Sequence, residues 1–137
     1  MRFMLLMYPG AKAERGGLPD PKAIAAMMKY NEELQKAGVL LALDGLQPSA
    51  RGARVRFQGG KPVVSDGPFT EAKELIGGYW LIQVKSKEEA IEWVKRCPAG
   101  DGEMIEIRQV FEMTDFTNVT PELAGAADAL GKKLGQK

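Results

Sequence analysis

Residues 63–93, VVSDGPFTEAKELIGGYWLIQVKSKEEAIEW, pass from the end of one β-prone run through a proline-bearing turn into a second run and then into a capped helix. Within that stretch Asp66-Gly67-Pro68-Phe69 (DGPF) form a tight turn. Gly67 relieves the restriction that Pro68 imposes on its predecessor, and Phe69 can drive the turn inward while Asp66 stays at the strand edge. Thr70 to Leu75 is polar and connective, and Gly77-Gly78 lets the backbone bend before Tyr79 to Val84, which reads as a strand. Ser86 with Glu89 three residues later is a capping box. It opens a helix whose inner side is Ala90, Ile91, Val94 and the stem of Trp93, and Pro98 ends it.

The neighbouring segments extend this pattern in both directions. Upstream, Arg54 to Gln58 and Pro62 to Ser65 flank Gly59-Gly60-Lys61 as a hairpin. Val39 to Leu43 is a short strand bounded by Gly38 and Asp44-Gly45. Asp20 caps a helix over 21–37 that starts on Pro21, with Ile24, Met27, Met28, Asn31 and Leu34 at spacings of three and four. Arg2 to Tyr8 is a first strand, followed by a surface loop through Pro9, Gly10, Gly16, Gly17 and Pro19. Downstream, Glu103 to Phe111 alternates, with Ile105, Ile107 and Phe111 on one face and Glu106 and Arg108 on the other. Thr120-Pro121 caps a last, alanine-rich helix. The reading is an α+β chain with a ferredoxin-like βαββαβ core and one inserted hairpin strand, spanning 1–113, and a C-terminal extension over 114–137. The strands Phe3–Tyr8 and Tyr79–Val84 carry apolar side chains at both parities, so both sheet faces call for cover. Two helices supply one face, and a second copy of the chain, a homodimer, is expected on the other; the alternative is that the last helix folds back over it.

Composition narrows the function. With 19 basic and 18 acidic residues the 137-residue chain carries a formal charge of +1, which gives no field to attract nucleic acid or anionic lipid. The longest apolar runs fall far short of the ~20 residues that span a bilayer, so a cytoplasmic, membrane-free protein is expected. Cys97 is the single cysteine and there is no histidine. Histidine-dependent triads, dyads, zinc sites and haem ligation are thereby excluded, and no cofactor or metal is expected. None of the glycine pairs matches a phosphate-loop or dinucleotide pattern. Arg51, Arg54 and Arg56 read as a small basic surface patch.

Among the polar residues, Asp66 admits two readings: a general acid, base or substrate anchor, or a carboxylate capping its own turn. Arg108 and Glu106 lie on a sheet face expected to be partly buried, where a guanidinium requires a carboxylate or an anionic ligand. Either Arg108 pairs with Asp66 or Glu74, or a pocket formed by Asp66 as catalytic group with Arg108, Tyr79 and Glu74 as ligand-binding groups takes a small anionic metabolite.

The stretch over 63–93, the opening RFMLLMY, the segment LQKAGVLLALDGLQP and the late strand EMIEIRQV together closely resemble the DGPF subgroup of the YCII-related proteins. The resemblance covers roughly residues 1–113. It implies a dimeric α+β barrel with a cleft between the open sheet face and its partner. Some members resemble enzymes built on a histidine–aspartate pair, including a dehalogenating one; the aspartate corresponds to Asp66, and the histidine has no counterpart here. Others accompany extracytoplasmic-function sigma factors. The resemblance therefore implies a small-molecule-binding protein, with a cofactor-free enzyme using Asp66 and a structural or regulatory dimer associated with transcription as alternatives.

Overall fold

Hydrogen-bonded pairing in the computed structural model, which describes residues 1–135, divides the strands into two sheets. β1 (Arg2–Tyr8), β2 (Leu40–Gly45), β5 (Gly78–Gln83) and β6 (Met104–Gln109) make a four-stranded antiparallel sheet in the order β2-β5-β1-β6. β3 (Ala53–Gln58) and β4 (Lys61–Asp66) pair only with each other. The helices are α1 (Ala11–Glu14), α2 (Pro21–Lys36), α3 (Lys87–Lys95) and α4 (Pro121–Lys133).

The helix ends follow the local chemistry. Asp20 accepts from the Ala23 N–H at 2.8 Å and Pro21 occupies the first turn of α2, where its missing N–H costs nothing. Gly38, at φ 74°, turns the chain out of α2 in a conformation that penalises other residues. Ser86 accepts from the Glu89 N–H at 3.1 Å, and the Glu89 carboxylate reaches back to the Lys85 N–H at 2.9 Å. Thr120 caps α4 through the Leu123 N–H at 3.2 Å.

The core lies on one face of the larger sheet. Alternate residues of β1, namely Phe3, Leu5 and Met7, are buried and stand opposite Ile82, Trp80 and Gly78 of β5. Tyr30 and Leu34 of α2 and Ala90 of α3 pack against them, with Ile105 and Ile107 of β6 at the margin. The polar atoms carried into this core are satisfied: Tyr30 donates to the Trp93 carbonyl at 2.8 Å and the Trp80 indole N–H donates to Asn31 Oδ1 at 2.7 Å. Asn31 therefore faces inward as its helical spacing predicts, while Ile24 and Met28 turn outward and Tyr30 takes an inner position.

Three expectations are corrected. First, the dimeric α+β barrel is not what the fold shows, and the homodimer has no support in it: both sheets are open, and β2 and β6 end the larger one as unclosed edges. A covering copy would be required only if both parities of β1 and β5 had to be fully buried. Met4, Leu6, Tyr8, Tyr79 and Leu81 are instead half-buried at the second parity, because large neighbouring side chains on a sheet face shield one another. Second, no strand of the hairpin is inserted into the main sheet. β3 and β4 turn through Gly59 and Gly60, both at positive φ (58° and 78°), and all their residues are exposed. Third, α4 does not cover the sheet with its leucines, since Leu123, Leu130 and Leu134 are exposed. Phe111 also leaves the core face and stacks on Phe116 at 4.8 Å between ring centroids.

Candidate functional site

Three chain segments converge around the DGPF turn. The first is α1 with the Arg15–Pro19 loop, part of a region that reads from its glycines and prolines as plain connection but forms a short helical turn. The second leaves β2 as Gly45-Leu46-Gln47-Pro48 and closes in a 3₁₀ turn over Ser49–Arg51, where the Gly52 N–H bonds to the Ser49 carbonyl at 2.9 Å. The third is the turn itself, running into the 3₁₀ segment Ala72–Glu74.

The DGPF turn is fixed by close backbone approach. A Cβ on residue 67 would lie 1.7 Å from the Ser49 carbonyl oxygen, so only glycine fits there, and the Gly67 N–H donates to the Gly52 carbonyl at 3.0 Å. Next along, the Phe69 N–H donates to Ser49 Oγ at 3.0 Å. Ser49 passes the connection on: its N–H donates to Glu14 Oε1 at 3.0 Å, and its hydroxyl donates to the same oxygen. One serine thus ties α1, the 49–51 turn and the DGPF turn together. The Arg54 guanidinium lies over the Phe69 ring, 3.8 Å from its centroid.

Between these segments opens a cleft of about 960 Å³. Leu18, Pro19, Leu46, Pro48, Pro68 and Phe69 give it an apolar wall, and Glu14, Arg15 and Arg51 are its charged lining residues. Glu14 is the only carboxylate in that lining, and its Oε1 is taken by Ser49. Arg15 and Arg51 form no ion pair among the described residues. A smaller space of about 100 Å³ adjoins the cleft, sharing Glu14, Leu46 and Pro48 and reaching Pro9, Ile76 and Gly77.

The residues singled out from sequence fall in two places. Tyr79 and Arg108 share the sheet face opposite the helices: Tyr79 stands across from Leu6, Leu6 across from Glu106, and Arg108 across from Met4. Tyr79 donates to Asp44 Oδ2 at 3.1 Å, and this hydrogen bond, then the charge of Asp44, pushes the phenol above its ordinary pKa. Arg108 has Glu106 as its ion partner at 3.3 Å, in place of Asp66 or Glu74. Asp66, the last residue of β4, and Glu74 are exposed and bracket the Pro68–Ala72 segment that borders the cleft, without lining it themselves. Arg15, Arg51 and Glu14 line the cleft without having been singled out from sequence as candidates. The contact that assembles them, Glu14 to Ser49, spans 35 residues and leaves no local signature. Cys97, half-buried after α3, has its thiol pushed up to about 11 by burial, with Glu103 adding to the shift, which suppresses thiolate chemistry near neutral pH. Among the described residues no group of three or more His, Cys, Asp or Glu is placed to hold a metal ion, and no helix is long and apolar enough to cross a membrane.

A family model described as the YCII-related domain matches residues 1–114. An uncharacterized protein of Rhizobium meliloti (strain 1021) is 30% identical over 76 residues, which is 56% of this chain and 61% of that protein. The match thus spans less than two thirds of the relative. Among solved structures, 5-chloro-2-hydroxyhydroquinone dehydrochlorinase from Burkholderia phenoliruptrix AC1100, in complex with 2,5-dihydroxybenzoquinone, is similar with a TM-score of 0.42 and 14% identity, over 83% of this chain and 98% of that one.

Proposed function

This chain belongs to the YCII-related family, and from that premise we propose that it is a small-molecule-binding protein of the DGPF subgroup whose ligand is a small organic acid held in the cleft beside the DGPF turn. The observation that carries the reading is the charge imbalance of that cleft: two arginines with no ion partner among the described residues line it, against one carboxylate already engaged by Ser49. A guanidinium offers a planar fork of donors suited to a carboxylate, and a mostly apolar wall around a few charged groups is the usual make-up of a ligand site. At about 960 Å³ the space has ample room for a small organic acid.

Binding is favoured over turnover because Asp66, the candidate acid or base, sits at the end of the exposed hairpin and outside the cleft lining. Arg108, the anchor suggested by sequence, has Glu106 for a partner. Isothermal titration with cyclohexanecarboxylate tests the assignment. Arg51→Ala weakens binding roughly 10- to 100-fold, the effect of deleting a hydrogen-bonded charge, while Arg108→Ala leaves it unchanged. The opposite ranking would move the site to the open sheet face.

A further inference from the structure

The structure assigns one further role within this cleft: we propose that Glu14, through Oε2, makes the site selective for acids that also carry a hydrogen-bond donor, a hydroxy or amino acid in place of a plain carboxylate. The inference rests on the cleft reading and names its substrate class.

The two oxygens of Glu14 stand in different situations. Oε1 receives both the N–H and the hydroxyl of Ser49. Oε2 takes no hydrogen bond from the described residues, and Glu14 lines both the main cleft and the adjoining smaller space. Its orientation is held by the Ser49 contacts, and Ser49 is held in turn by the Phe69 N–H at 3.0 Å. A carboxylate oxygen accepts and does not donate, so whatever satisfies Oε2 must bring a hydrogen. The same cleft wall carries the exposed Arg15 and Arg51, whose guanidiniums are available to an anion. A ligand answering both requirements has a carboxylate at one end and a hydroxyl or ammonium at the other, across an apolar body that fits Leu18, Leu46 and Phe69. Oε2 is not buried in the free protein, so water can reach it there; a ligand that covers it without bringing a hydrogen strips that water and leaves the oxygen unpaired, and analogues lacking the donor therefore bind more weakly.

The substitution Glu14→Gln separates this role from the architecture. Its amide oxygen still accepts from Ser49, so the three cleft segments stay tied, but the group replacing Oε2 is a donor. The test compares cyclohexanecarboxylate, its 3- and 4-hydroxy derivatives and the 4-methoxy derivative by isothermal titration. In the wild type at least one hydroxy acid binds about 10-fold or more tightly than the parent and the methoxy acid. In Glu14→Gln that preference disappears while the parent acid still binds. Equal affinity for hydroxy, methoxy and parent acids in the wild type overturns the role of Glu14 and leaves the cleft reading standing. If none of the acids binds, the cleft reading falls and this inference with it. A preference that persists in Glu14→Gln overturns the role as well, and equal wild-type affinities do so even if the variant melts early.

Discussion

β4 and β5 are strands of six residues each on either side of the DGPF turn, and they fare very differently. In β5, Gly78, Trp80 and Ile82 are buried and both edges are bonded, to β1 and to β2. In β4 every residue is exposed, Val64 at 64%, and only β3 is bonded. Strand propensity is present in both, so it cannot be what separates core from periphery. The separation comes from long-range pairing: β5 finds β1, more than seventy positions away in the chain, whereas β4 finds the strand just before it across a two-glycine turn. The turn between them joins a rigid element to a projecting one and leaves a cleft beside the junction.

The largest effect that sharpens this contrast is core truncation. Ile82→Ala removes a fully buried side chain and should cost ~2–5 kcal/mol, whereas Val64→Ala should stay within about 0.5 kcal/mol. Urea denaturation measures both. Comparable losses at the two sites would show that the hairpin is packed in solution.

Gly67→Ala comes next, because its Cβ would collide with the Ser49 carbonyl. Moving that backbone costs roughly 1–3 kcal/mol, and by shifting Phe69 and Ser49 it should abolish carboxylate binding by a protein that remains folded. Unchanged binding in Gly67→Ala would uncouple the DGPF turn from the cleft.

The smallest effect lies at the sheet margin, where Arg2 Nε meets Glu112 Oε1 at 2.7 Å. The hydrogen bond from Arg2 holds the Glu112 carboxyl below its usual range against the opposing effect of burial. A depressed carboxyl contributes stability above its unfolded pKa of ~4.3, and that contribution is lost as pH falls through the folded value. The Glu112 side chain is 40% exposed, so solvent screening limits the effect to about 1 kcal/mol at most. The stability difference between wild type and Glu112→Gln should therefore be present at neutral pH and shrink on acidification below pH ~4. A difference independent of pH would assign the loss to packing.

How much of this could be read from the chain depends on the range of the interactions. The caps at Asp20, Ser86 and Thr120 act over three residues and are legible directly, as are the two-glycine hairpin and the alternation of Ile105 and Ile107. Apolar character at both parities of β1 was also legible, but it does not by itself call for a second copy. Periodicity reports which side chains lie on a face and says nothing of how far neighbours on that face shield one another. At the site, the DGPF turn drew attention for its carboxylate, yet the structure gives Gly67 and Phe69 the contacts that shape the cleft. Arg51 read as part of a solvated basic patch, because only the fold brings it to the cleft that Arg15 also lines.

Backbone amide chemical-shift mapping during titration with cyclohexanecarboxylate tests the central claim most directly. The account predicts that perturbations cluster at Arg15, Leu46, Ala50, Arg51, Phe69 and Thr70, around the cleft, and that Tyr79, Glu106 and Arg108 on the open sheet face stay fixed. Perturbations centred on β5 and β6, with the segments around the DGPF turn unmoved, would contradict it.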